Sequence, residues 1–183
     1  MIKKIGVLAV AYFMIACGGG NKEEVLTEQQ LVDSLQSYMT KLQDENLEPE
    51  LIIAYSSKQV DFANKLLTNY DESQHLEKWL FEAGKAGRTS GRFESGIMFF
   101  KEFVSRYPND KRVPEALFLT GFIYDEDLKD KDRAKGCYEQ VVKKFPTHDL
   151  ADDAQALIEQ LYMTDEEIIR MIEEKAAQLE AAK

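Results

Sequence analysis

From residue 28 onward, apolar positions recur every three or four residues, the period of amphipathic helices. Residues 28–44 place Leu31, Leu35, Tyr38, Met39 and Leu42 on one side, and Thr27 with Gln30 predicts a capping box at the start. Residues 51–70 form the next predicted helix, with Phe62, Leu66 and Leu67 on its apolar side. Near the other end, Thr164-Asp165-Glu166-Glu167 is a second capping box. It opens a final helix whose Ile168, Ile169, Ile172 and Leu179 are expected to pack inward, while its charged outer face closes the structure. The 183 residues contain only 10 Gly and 4 Pro, too little turn chemistry for many short strands, so the fold class is all-α.

The middle of the chain repeats itself. Ser105-Arg106-Tyr107-Pro108 returns 38 residues later as Lys143-Lys144-Phe145-Pro146, and at that offset Phe100 meets Tyr138, Ala116 meets Ala154 and Leu119 meets Leu157. A second set of spacings is stricter. Gly84 lies twelve residues before Gly96, which lies four before Phe100 and twelve before Pro108. Gly121 lies thirteen before Ala134, which lies four before Tyr138 and twelve before Pro146. Small residues let two helices approach closely, the rings fill the space beside them, and each Pro ends a second helix because the residue before it avoids the helical region. One such pair cannot bury its apolar faces alone, so pairs must stack.

These small, aromatic and Pro positions resemble the tetratricopeptide repeat, a helix–turn–helix of about 34 residues. The resemblance implies an α-solenoid: residues 77–110 and 114–149 as full units, and 152–183 as a weaker unit with a capping helix. Residues 28–71 end in Leu67-Thr68-Asn69-Tyr70-Asp71, an echo of Val104-Ser105-Arg106-Tyr107-Pro108, and are expected to be a degenerate amino-terminal unit. Trp79 sits one place before the usual aromatic of a first helix, and the stretch 125–132 is slightly long for a loop. The wording Tyr107-Pro108-Asn109-Asp110 and Val113-Pro114-Glu115-Ala116-Leu117 is similar to two envelope families. One is the tetratricopeptide lipoprotein of the outer-membrane β-barrel assembly machine, the other the periplasmic coordinator associated with Tol-Pal.

The first residues read as an address. Met1 to Lys4 is basic, and Ile5 to Ala16 is an uncharged apolar run of twelve residues, too short for the roughly 20 needed to span a bilayer. Met14-Ile15-Ala16-Cys17, followed by Gly18-Gly19-Gly20, resembles the lipobox of bacterial lipoproteins. It implies a signal peptide at 1–16 and a diacylglycerol and amino-terminal acyl chain on Cys17, with 17–27 as a flexible tether. Gly18 after the cysteine resembles the outer-membrane sorting class, with the periplasmic face expected; Lys22-Glu23-Glu24 fits either a surface-export signal or a solvated linker.

Charge narrows the partners. The net charge is −10, and removal of Lys3 and Lys4 with the signal leaves 21 basic against 33 acidic residues. Such a body is repelled by nucleic acid and by anionic headgroups, so attachment to a membrane falls to the lipid. With Cys17 acylated, Cys137 has no disulfide partner and acts as a small apolar side chain.

Catalytic and cofactor chemistry is sparse. His75 and His148, the two histidines, fall in expected loops far apart in sequence. Asp125-Glu126-Asp127…Asp130…Asp132 lacks the Gly of a calcium loop and is broken by Lys129 and Lys131; it reads as a solvated loop that caps helix ends. Gly84…Gly87…Gly91 is not followed by the Lys-Ser/Thr of a phosphate loop. The chain is therefore read as a non-enzyme with no cofactor and no metal.

The resemblance further implies that first helices line a concave groove. Its expected residues are Lys78, Phe81, Lys85 and Arg88 from the first unit, Glu115, Phe118, Phe122 and Asp125 from the second, and Asp153, Ala156 and Gln160 from the third. That groove has an aromatic centre between a basic and an acidic end, suited to a helix or extended peptide of another envelope protein. Packing of Phe118 and Phe122 against the amino-terminal helices would fill it instead. A glycan-binding lipoprotein on the same scaffold is the alternative function, with Trp79 and scattered Tyr as stacking surfaces.

Overall fold

A computed structural model describes residues 25–181, and every regular element among them is helical. The helices are α1 (Glu28–Lys41), α2 (Pro49–Asn69), α3 (Leu76–Thr89), α4 (Phe93–Arg106), α5 (Val113–Phe122), α6 (Lys131–Lys144), α7 (Leu150–Gln160) and α8 (Asp165–Ala181). A π-helical turn, Ile123–Asp127, extends α5. The expected signal peptide, Cys17 and the first part of the expected tether lie outside the described residues.

Local chemistry sets the helix ends. Thr27 and Gln30 close the expected capping box: the Gln30 amide donates to Thr27 Oγ1 at 3.3 Å and the Thr27 amide to Gln30 Oε1 at 2.8 Å. Thr164 and Glu167 do the same at α8. Pro49 and Pro114 occupy first-turn positions, where a missing N–H costs nothing. Three helices stop alike: Tyr70 after α2 (φ −141°, ψ 57°), Tyr107 after α4 (−125°, 57°) and Phe145 after α6 (−133°, 52°). Pro follows the last two, Asp71 the first, so α2 ends with the backbone of α4 and α6 without their proline.

Consecutive helices pack side by side, α1 on α2, α2 on α3, and so on to α7. Within the pair α3–α4, Gly84 admits the Phe100 ring and Gly87 lies backbone to backbone with Gly96; a Cβ on either would sit 2.5 Å from its neighbour. Within α5–α6, Gly121 faces the Tyr138 ring in the same way. Phe81, Phe100 and Phe103 form one aromatic cluster, with centroids 5.4–5.8 Å apart from Phe81. All three are buried, as are Trp79, Phe99 and Tyr138; each such side chain contributes about 1.5–3 kcal/mol by leaving water.

The pair α5–α6 differs from α3–α4 by one residue. Gly121 to Ala134 is one longer than Gly84 to Gly96, and the extra residue is taken up inside the helix. The Leu128 amide donates to the Ile123 carbonyl at 2.9 Å, a bond spanning five residues rather than four. So 125–127 is helical, not loop, and the true connection is Leu128–Asp130, with Lys129 at φ +55°. Of the acidic run, Asp130 does cap a helix, accepting from the Arg133 amide at 2.9 Å.

The final helix departs from expectation. Ile169 and Ile172 are 56% and 58% exposed, and α8 makes no substantial contact with any other helix. The expected inward packing is therefore corrected for Ile169 and Ile172, and with it the closure of the stack by α8; Ile168 is half-buried and lines a cavity with Leu157 and Leu161. The third unit offers no ring opposite a small residue to hold a second helix. The Leu179 side chain lies outside the described residues.

Arg112 locks the joint between α4 and α5. It pairs with Asp110 at 2.6 Å and Glu77 at 2.8 Å, and its guanidinium lies 5.1 Å from the Phe103 centroid and 5.3 Å from that of Phe81. Hydrogen bonds from Arg112 hold the Asp110 carboxyl far below the usual carboxylate range. A carboxylate with a lowered folded pKa stabilises the fold above its unfolded value, about 4, and this stability is lost as the pH falls below it. Asp110→Asn is expected to cost about 1–2 kcal/mol at pH 7. In urea unfolding, the gap between wild type and variant should narrow from pH 5 to pH 3.

Candidate functional site

The helices form two rows. First helices α3, α5 and α7 touch one another directly. On the other side, a cleft of about 210 Å³ lined by Phe100, Val104, Leu117 and Cys137 opens between α4 and α6. The closer row is the inner, concave one; α1 joins it through the bond from Lys78 Nζ to Gln36 Oε1, 2.8 Å.

Most of the sequence-predicted groove residues sit along this row, in differing surroundings. Lys78 is exposed, its ammonium 4.3 Å from the centroid of Trp79. Lys85 pairs with Glu82 at 3.0 Å. Arg88 crosses from α3 to α5, bonding Asp127 at 2.7 Å and lying 4.6 Å from the Phe122 centroid. Phe118 and Phe122 are half-buried: Phe118 packs at 5.5 Å on Tyr138, and the ring partners of both come from α3 and α6, not from α1 or α2. Glu115 and Ala156 are half-buried and Asp153 is exposed on the first turn of α7. Asp125 and Gln160, 35 positions apart, line one cavity together.

Phe81 is a correction. It is only 3% exposed and is enclosed by Phe100, Phe103 and Arg112, so its ring belongs to the core and offers no face to a partner. Its helix position is right for the groove, but the small Gly84 next to it draws Phe100 inward, and Phe81 packs against that ring.

Sequence reasoning missed the Arg88–Asp127 bridge, which ties the basic end of the groove to the acidic one. The signal for it was present: the extra residue between Gly121 and Ala134 turns Asp127 toward α3.

Beneath the acidic end, Tyr138 is fully buried and its hydroxyl makes no hydrogen bond. Burial, then the nearby Asp125 and Glu126 charges, push the Tyr138 phenol well above its usual range. Burial, then Glu126, likewise raises the Asp125 carboxyl. Burial also raises the Cys137 thiol, so that side chain is inert filling between α5 and α6. Among the described residues, no group of His, Cys, Asp and Glu is arranged to hold a metal ion, and no helix is long and apolar enough to cross a membrane.

The architecture is an α-solenoid of antiparallel helical hairpins. Residues 115–148, which run through α5, the π turn and α6, match the tetratricopeptide-repeat family. No curated protein matches the chain. Tetratricopeptide repeats serve as protein–protein interaction scaffolds, and the fold is typically non-enzymatic.

Proposed function

We propose that this protein is a lipoprotein of the bacterial cell envelope. Diacylglycerol and an acyl chain on Cys17 hold it in the outer membrane, and its inner helical row binds a segment of another envelope protein on the periplasmic side. Similarity to the assembly-machine lipoprotein and to the Tol-Pal coordinator supports a role in outer-membrane assembly or envelope coordination. The observation that carries the reading is the pair of half-buried rings, Phe118 and Phe122, on the inner row between a cationic and an acidic end. Aromatic anchors inside a charged rim are the usual centre of a protein interface.

Of the stacking surfaces for the glycan alternative, Trp79 drops out because it is 2% exposed and cannot stack on a sugar.

Several acyl chains anchor stably where one does not, each buried methylene contributing about 0.8 kcal/mol. Cys17→Ser is therefore expected to move the protein from the membrane to the soluble fraction. Persistence of the variant in membranes, on fractionation with and without high salt, would sink the anchor.

A further inference from the structure

We propose that α8 is a pairing helix, whose exposed apolar seam docks in parallel against the α8 of a second copy of this chain. Helices α1 to α7 each pack on a neighbour, whereas α8 makes no substantial contact beyond the joint that Ile168 forms with the end of α7. Ile169 and Ile172 stand in solvent, and Ala176 is exposed as well. A contiguous apolar stripe left open on a helix marks a surface that something covers.

The register of the helix selects the occupant. Ile169, Ile172, Ala176 and Leu179 follow one another at intervals of three, four and three residues, the a and d positions of two coiled-coil heptads. In that register Glu166, Glu173 and Glu180 take the e positions, and Lys175 takes the g position between the two heptads. In a parallel pair each g position faces the next e position of the other helix. Lys175 therefore meets Glu180 of the partner subunit, and two-fold symmetry makes that pair twice. An antiparallel pair sets the e rows against each other, glutamate on glutamate, which repels. The charges thus fit a second copy of the same helix in one orientation only.

A lipid surface fits the stripe poorly. Residues 165–181 carry six acidic against two basic side chains, a net charge of −4. Helices that lie in a membrane interface carry Lys and Arg on their polar face, and anionic headgroups repel a helix of the opposite composition. The rest of the same chain leaves the seam open, since Ile168 on the flank is the position that leans on α7 and Ile169 and Ile172 turn away from it.

The test is disulfide trapping of the full chain, in intact cells oxidised with copper phenanthroline and in a lysate of the same cells. The wild type, whose Cys137 is buried, is the blank. Ile169→Cys, Ile172→Cys and Ala176→Cys, made one at a time, are each expected to give a product of twice the chain mass. A parallel seam brings like positions within the Cα separation a disulfide spans, about 7 Å at most. Arg170→Cys and Glu174→Cys, on the outer face, should give about tenfold less. Lys175→Glu should lower trapping through Ala176→Cys severalfold, and Glu180→Lys added to it should restore the product. Trapping at only one of the three seam positions would make the pair antiparallel and overturn the proposal. Equal trapping on the outer face, a product of some other mass, no product in cells or lysate, or no rescue by the charge swap would overturn it too. The pairing rests on neither the inner row nor the lipid: a chain that proves soluble, or that binds nothing along the inner row, should show the same pattern of positions in the lysate.

Discussion

Replacing Gly121 with valine is expected to destabilise the fold by about 2–3 kcal/mol, the range for forcing atoms into a packed core. A Cβ at this position would lie 2.6 Å from the Tyr138 ring and 3.2 Å from Cys137 Cβ. Tyr138 is fully buried and cannot swing aside. Gly84→Val should behave alike, since its Cβ would meet the Phe100 ring at 2.5 Å. Alanine at either place regains about 1 kcal/mol of helix propensity and should cost less. Gly136 is the internal control: it lies in α6 with nothing within 4 Å of an added Cβ, so Gly136→Ala should stabilise by about 0.5–1 kcal/mol. Urea unfolding followed by circular dichroism separates these outcomes. If Gly121→Val is as stable as Gly136→Ala, the hairpins do not close ring against glycine.

Phe81→Asp is expected to leave the protein largely unfolded. Removing a buried Phe ring costs about 3–5 kcal/mol, and an uncompensated buried carboxylate adds to that, against a typical total of about 5–15 kcal/mol. Arg112 lies over the ring but is already engaged by Asp110 and Glu77. The variant should lose cooperative melting as well as any partner, so loss of binding by it reports on the fold. Phe122→Asp is the informative counterpart. Its ring is half-buried beside Arg88, and the change should cost about 1 kcal/mol or less while removing the aromatic centre of the inner row. A native melting curve for Phe81→Asp would place that ring outside the core and restore it to the groove.

Much of the fold was legible because two signals were local and redundant. Glycines at 84, 96 and 121 and rings at 100 and 138 mark the hairpins by spacing alone, and Pro108 and Pro146 mark the helix ends. The capping boxes at Thr27 and Thr164 follow from four residues each. What was not legible depended on neighbours distant in sequence. Phe81 occupies a groove position by helix register, yet its burial is decided by where Phe100 and Phe103 arrive from α4. Gly87 carries no signal of its own in the sequence, and only the close approach of α3 to α4 shows that it meets the Gly96 backbone. Ile169 and Ile172 follow a helical apolar pattern, but the pattern cannot say whether a surface exists for them to meet, and α8 finds none. The acidic run was read as loop because composition does not register a single added residue. Inside a helix anchored at both ends, that residue becomes a π turn and lines up Asp125 and Asp127 on the inner row.

The most direct test of the account is photo-crosslinking in intact cells with a benzophenone amino acid at position 122, on the inner row, and at the exposed position 139, on the outer row. The expected result is a discrete crosslinked protein from position 122, absent from position 139 and lost from position 122 when the chain is released by Cys17→Ser. Equal crosslinking from both positions, or a discrete product from position 139 alone, would contradict it.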